Sequence, residues 1–187
     1  MALFHNACVK CNYIIQMAKI VITGPECSGK SFLTEKLSER LKIPYSVEYA
    51  RIYLNEHGLE YTLDDIVAIN QIQNLIQDKL IEHHKHVLMD TDVLTLMIWC
   101  LEVFQEIPKE IMLDFERRKP DLYLLCRPDI PWEYDPQRAN PHDRDRLFEI
   151  YREYLESRDI PFYIIEGNSQ ERIDYANACV RQYIGLY

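Results

Sequence analysis

Apolar residues along this chain follow two alternating rhythms. Short runs at 19–23, 87–90, 121–126 and 161–166, and the stretch 45–48 behind Pro44, read as strands. Between them lie segments of helical period. Residues 31–41 place Leu33, Leu37 and Leu41 four apart, which gives one buried stripe. Residues 49–54 have helical propensity and stop at His57-Gly58. Thr62 and Asp65 form a capping box for a long helix to about His84, with Ile66, Ile69, Gln73, Ile76 and Leu80 on one face. Further helices are predicted over 93–105, between Pro108 and Pro120, over 147–157 and over 170–183. Sequential strands are too far apart for hairpins. The pattern predicts an α/β fold: a five-stranded, mostly parallel sheet with right-handed crossovers and helices on both faces. Trp99 and Phe104 are expected in the core. Gln71, Gln73 and Gln77 are expected as surface or helix-end contacts, with one facing a substrate as the alternative. His83, His84 and His86 end a helix and complement its dipole rather than forming a ligand cluster.

Residues 24–31, Gly24-Pro25-Glu26-Cys27-Ser28-Gly29-Lys30-Ser31, fit G-x-x-x-x-G-K-[ST] at every fixed position. A strand precedes the motif and a helix follows it, which is the context in which it binds phosphate. The loop's N–H groups and the helix N-terminus make a positive concavity. Lys30 then reaches the β- and γ-phosphates, and the Ser31 hydroxyl sits on Mg²⁺. With Phe32, these residues are the expected ATP site.

Composition narrows the function. A net charge of −9 over 187 residues argues against a nucleic-acid groove or an anionic membrane as partner. No apolar run approaches the roughly 20 residues of a membrane helix. The length fits one domain, expected at 17–187, with 1–16 as an extension lacking a signal-peptide layout. Six scattered cysteines, one inside the phosphate loop, point to reduced thiols and a cytoplasmic home. Cys8 and Cys11 form a lone C-x-x-C, short of a zinc site even with His5.

In an open parallel sheet, ligands lie beyond the carboxyl ends of the strands. Asp90 and Asp92, closing the strand at 87–90, are therefore the expected second acidic element, with Asp90 beside Ser31 on Mg²⁺. Asp92 equally fits the N-cap of the next helix. Glu48 ends the 45–48 stretch facing the same crevice and is the expected group to orient or deprotonate a hydroxyl. Arg51, one turn on, would anchor substrate or hold Glu48; an ordinary helix start is the alternative. Residues 127–146 hold four prolines and four arginines, an arginine-bearing lid whose forks suit a moving phosphoryl group, or else an ion-paired solvated loop. Arg127 and Asn168, with Ser169, are expected on the ATP, and Arg138 on the transferring phosphoryl. GTPase strings are absent. A small kinase acting on a small hydroxyl compound is the leading reading, and a regulatory P-loop ATPase with a protein partner is the competing one.

These residues resemble a known family, the ribosylnicotinamide kinase domain of NadR-type proteins. The resemblance runs from about residue 18 to the C-terminus. It rests on the phosphate loop, Glu48-Tyr49-Ala50-Arg51, Asp90-Thr91-Asp92, and Pro131-Trp132-Glu133-Tyr134-Asp135 followed by Arg138. It implies a three-layer P-loop kinase fold and ATP-dependent phosphorylation of the 5′-hydroxyl of nicotinamide riboside. It also implies substrate contacts from Glu48, Tyr49, Arg51, Asp92, Trp132 and Asp135. Ile52, Val47 and Pro136 stand where family members often carry an acidic residue, an aromatic and a glycine. The adenylyltransferase motif of bifunctional members is missing from these residues.

Overall fold

A computed structural model describes residues 17–137, 142–158 and 160–186. Five strands form one sheet: β1 (Ala18–Thr23), β2 (Tyr45–Ser46), β3 (His86–Asp90), β4 (Leu122–Cys126) and β5 (Phe162–Ile165). Their spatial order is β2-β3-β1-β4-β5, and every pair is parallel. The chain thus leaves β1 toward one edge, returns through β3 and crosses to β4 on the other side. A crevice opens at that reversal, beyond the carboxyl end of β1.

Seven helices connect and flank the strands: α1 (Lys30–Leu41), α2 (Tyr49–His57), α3 (Leu63–His83), α4 (Val93–Phe104), α5 (Lys109–Arg117), α6 (Arg144–Ser157) and α7 (Ser169–Ile184). Side chains alternate across a strand, so each central strand feeds two cores. Ile20, Ile22, Leu88, Leu122 and Leu124 pack with Leu33 and Leu37 of α1 and Ala176 and Val180 of α7. Val21, Val87, Met89, Tyr123 and Leu125 pack under α2 to α6. This is the expected three-layer arrangement. Covered faces on both sides explain why these strands read as unbroken apolar runs.

Polar groups mark the strand ends. The Asp121 carboxylate accepts from the Lys19 N–H at 2.7 Å. The Thr91 N–H donates to the Ile22 carbonyl at 3.0 Å. The capping box at Thr62 and Asp65 forms as expected, and the Tyr53 hydroxyl donates to the same Asp65 carboxylate, tying α2 to α3.

Some boundaries differ from expectation. Strand β2 ends at Ser46, so Val47 and Glu48 leave the ladder. Helix α6 begins at Arg144 because Leu147, Phe148, Tyr151 and Leu155 form one buried stripe and Asp145 favours the first turn. Arg144 and Arg146 therefore belong to that turn rather than to a loop. Arg138 and the pair Cys8 and Cys11 lie outside the described residues. Among the described residues, no helix is long and apolar enough to cross a membrane, and no His, Cys, Asp and Glu cluster suits a metal alone.

Candidate active site

The loop between β1 and α1 is shaped by two glycines. Gly24 sits at φ 135°, and a Cβ there would come within 2.6 Å of the Cys126 carbonyl oxygen. The loop is thus seated directly on the β4 backbone. Gly29 turns the chain at φ 80° into the N-terminus of α1. Ser28 Oγ and Lys30 Nζ both donate to the Pro25 carbonyl, at 2.7 and 2.8 Å. The lysine therefore reaches back over the loop it follows.

The loop forms one end of a cavity of about 670 Å³. Glu48, Arg51 and Leu54 line it from the α2 side, Trp99 and Glu102 from α4, and Tyr151 from α6. Lys30, Ser31, Phe32, Glu48 and Arg51 thus line one cavity. Asp90 lies just behind. It is 3% exposed, the Ser31 hydroxyl sits beside its carboxylate, and its Oδ1 has no partner. Burial pushes its carboxyl up to about 6; the nearby Glu48 carboxylate adds to this, and Ser31, Lys30 and Arg51 oppose it. A buried carboxylate oxygen without a partner beside a serine hydroxyl is a donor set that fits Mg²⁺. Thr91, between the two acids, holds φ 65°, a left-handed strain that recurs at functional sites.

Asp92 is a correction. It does not line this cavity. Its Oδ1 accepts from the Leu94 N–H at 3.1 Å, capping α4, and its Oδ2 accepts from the Tyr123 hydroxyl at 2.6 Å. Burial pushes its carboxyl up to about 6, against those two donors. Both oxygens are committed to the fold. Asn168 is likewise the N-cap of α7, accepting from the Gln170 and Glu171 N–H groups, so its amide oxygen is committed to the helix start. Ser169 does line the cavity. Arg127 pairs with Glu166 at 2.9 Å and lies over the Phe148 ring, outside the cavity wall.

Residues 130–137 lie along the site. Asp135 pairs with Arg51 at 2.7 Å, and Gln137 Nε2 donates to the Arg51 carbonyl and to Asn55 Oδ1. Two residues expected on the substrate thus hold each other and latch this segment to α2. Trp132 lies under the Arg144 guanidinium, 5.6 Å from its ring centroid, and Arg144 donates to the Cys27 and Ile130 carbonyls. Tyr49 is half-buried against the core rather than in the cavity.

Several contributors carry no sequence motif. Thr95 and Tyr151 lie together on the cavity wall, and burial raises the Tyr151 hydroxyl. Trp99, expected in the core, lines the cavity and donates its indole N–H to the Tyr61 hydroxyl at 2.9 Å. Arg172 of α7, 5% exposed, donates to the carbonyls of Ser28, Arg127 and Gly167 and pairs with Asp129. It ties the phosphate loop to the ends of β4 and β5.

Cys27 connects loop and lid. Its Sγ accepts from the Glu133 N–H at 3.2 Å and donates to the Pro131 carbonyl at 3.5 Å. It is half-buried, whereas Cys100, Cys126 and Cys179 are buried. Burial raises those three thiols to about 11, 12 and 11. Alkylation with N-ethylmaleimide is therefore expected to abolish ATP binding through Cys27, with ATP protecting. Loss of binding at the same rate in Cys27→Ser would refute this.

The family described as AAA domain matches residues 19–172. The chain is 27% identical over 156 residues to the trifunctional NAD biosynthesis/regulator protein NadR of Escherichia coli (strain K12). That match covers 79% of this chain but 38% of the relative, so the chain spans under two fifths of that protein's length. Two solved NadR structures, one in complex with NAD and AMP-PNP and one with NR, match at TM-scores of 0.69 and 0.70 and at 20% and 19% identity. Each match covers 92% of this chain, and 51% and 53% of the NadR chains. Deoxyadenosine kinase from M. mycoides matches at a TM-score of 0.61 and 14% identity, over 88% of this chain and 99% of that one. The motif, the sheet order and the family match over most of its length together make this chain a member of the AAA domain family, with a P-loop kinase fold of the NadR type.

Proposed function

We propose that this protein transfers the γ-phosphoryl group of ATP to the 5′-hydroxyl of a nucleoside, and that nicotinamide riboside is the acceptor. The observation that carries the reading is the placement of Lys30 and Glu48 on one cavity of nucleoside-plus-nucleotide size. The NadR relative and the NadR structure in complex with NR support the choice of acceptor.

In this reading the loop N–H groups cradle the phosphates, and Lys30 exchanges the Pro25 carbonyl for γ-phosphate oxygens. The Glu48 carboxylate accepts the proton of the 5′-hydroxyl as its oxygen bonds to the γ-phosphorus. The bond to the β–γ bridging oxygen breaks, and ADP leaves with its electron pair. Ser31 and Asp90 would hold Mg²⁺, which would neutralise charge on the phosphate oxygens. Residues 130–137 exclude water, so that the acceptor competes with no solvent nucleophile.

An ATP-consumption screen across nucleosides tests the reading. Nicotinamide riboside is expected to raise turnover above the nucleoside-free rate and to yield its 5′-phosphate. Hydrolysis that no nucleoside raises would overturn it. Glu48→Gln should lower kcat by about 10²- to 10³-fold with ATP affinity held. Equal loss of both would remove Glu48 from the proton transfer.

A further inference from the structure

The loop leaving β2 is short of backbone partners at its most important residue. The β2 ladder ends at Ser46 opposite Met89, and Glu48 follows two residues later as the N-cap of α2, with no side-chain cap bond of its own. A buried side chain supplies what the ladder lacks. Gln73 of α3, 4% exposed, accepts from the Tyr49 N–H through Oε1 at 2.7 Å and donates from Nε2 to the Val47 carbonyl at 3.2 Å. Bonds to residues i−1 and i+1 are what a parallel neighbouring strand makes around residue i. Here residue i is Glu48. The Gln73 amide acts as a one-residue strand, and it leaves the Glu48 carboxylate uncommitted.

One turn on, Gln77 is 3% exposed and donates to the Thr91 carbonyl at 3.2 Å. Thr91 is the left-handed residue that links Asp90 to Asp92. Residues four apart on a helix share a face, so α3 presents two amides at fixed spacing, one to each acidic strand tip. Both amides are buried and bonded to backbone. Gln71, on the same helix, is exposed.

We infer that Gln73 is a positioning residue that sets the Glu48 carboxylate against the acceptor, with Gln77 doing the same for the Asp90–Thr91 turn. The inference rests on the proposed role of Glu48. Loss of the Gln73 amide strands two backbone groups and lets the 47–49 peptide shift, and a displacement of about 1 Å costs on the order of 10²-fold in rate.

The test uses the full chain. Gln73→Met, of similar length without polar atoms, should lower kcat for nucleoside phosphorylation by about 10²-fold while the KM for ATP stays within about twofold. Hydrogen exchange at the Tyr49 amide should rise at least about tenfold, with exchange at Val21 unchanged. Gln73→Glu keeps the acceptor for Tyr49 but when ionised loses the donor to Val47. It should show the same split with a smaller loss, and it serves if the methionine variant does not fold. Gln71→Ala is the control and should match wild type. A kcat within threefold of wild type in both Gln73 variants would overturn the inference. So would parallel loss of kcat, ATP affinity and Val21 protection, which is a purely structural effect. If the wild type phosphorylates no nucleoside, the proposed function fails, and Tyr49 exchange alone decides: unchanged exchange overturns the bracket, accelerated exchange upholds it.

Discussion

Lys30→Ala is expected to abolish the proposed phosphoryl transfer, lowering turnover by at least about 10³-fold. The figure follows from removing a fixed cation from a charged transition state in a water-poor site. The Lys30 ammonium lies 2.8 Å from the Pro25 carbonyl, held over the concavity of the loop. A carbonyl is a weak partner for it compared with a phosphate, so the group is placed in advance and released at little cost. Lys30 is half-exposed, so the fold loses less than about 1 kcal/mol and the melting temperature should move by no more than a few degrees. Steady-state kinetics beside a thermal melt check both halves. Residual activity above a tenth of wild type would mean that Lys30 does not touch the transferring group.

Arg172→Ala is expected to give a large stability loss for a polar residue, about 3 kcal/mol, or roughly 10 °C in melting temperature. Its guanidinium serves three carbonyls, on Ser28, Arg127 and Gly167, at 2.7 to 3.0 Å, and pairs with Asp129. Truncation leaves these acceptors without a donor in a buried place. The Asp129 side chain is 31% exposed and rehydrates, so the lower end of the range for broken buried pairs applies. ATP affinity should fall as well, because the Ser28 peptide belongs to the phosphate cradle. Arg172→Lys should recover little, since an ammonium does not span the planar fork. Denaturant melts with ATP titration check this. A loss under 1 kcal/mol would show that the three segments hold together without the clamp.

Much of the frame could be read from the chain because it repeats. Buried parallel strands give apolar runs, and the phosphate loop is contiguous, so strand count, layers and cradle followed from local pattern. Glu48 and Lys30 were placed on one crevice by the rule that ligands sit beyond strand ends. What local pattern misses is contact between distant segments. Gln73 reads as one more polar residue on a helix until the 47–49 peptide is laid beside it. Arg172 has no motif, because all of its partners except Gly167 lie 43 to 144 positions away. Asp92 was legible in two ways, as site acid and as cap, and packing against Tyr123 chose the cap. Arg144 reads as loop because the stripe of α6 begins only at Leu147, three residues later.

The double core has a consequence for precision. Where both surfaces of a sheet are greasy, sliding one strand past its neighbour by two residues keeps every methyl group dry. Such a slip would nonetheless carry a strand tip about 7 Å along its axis, far beyond what phosphoryl chemistry tolerates. Oil alone therefore does not align this molecule. Alignment comes from the polar stitches at the rims, the Asp121 carboxylate on the Lys19 amide and the Thr91 amide on the Ile22 carbonyl, and from a glycine that fits against Cys126 only because it carries no side chain.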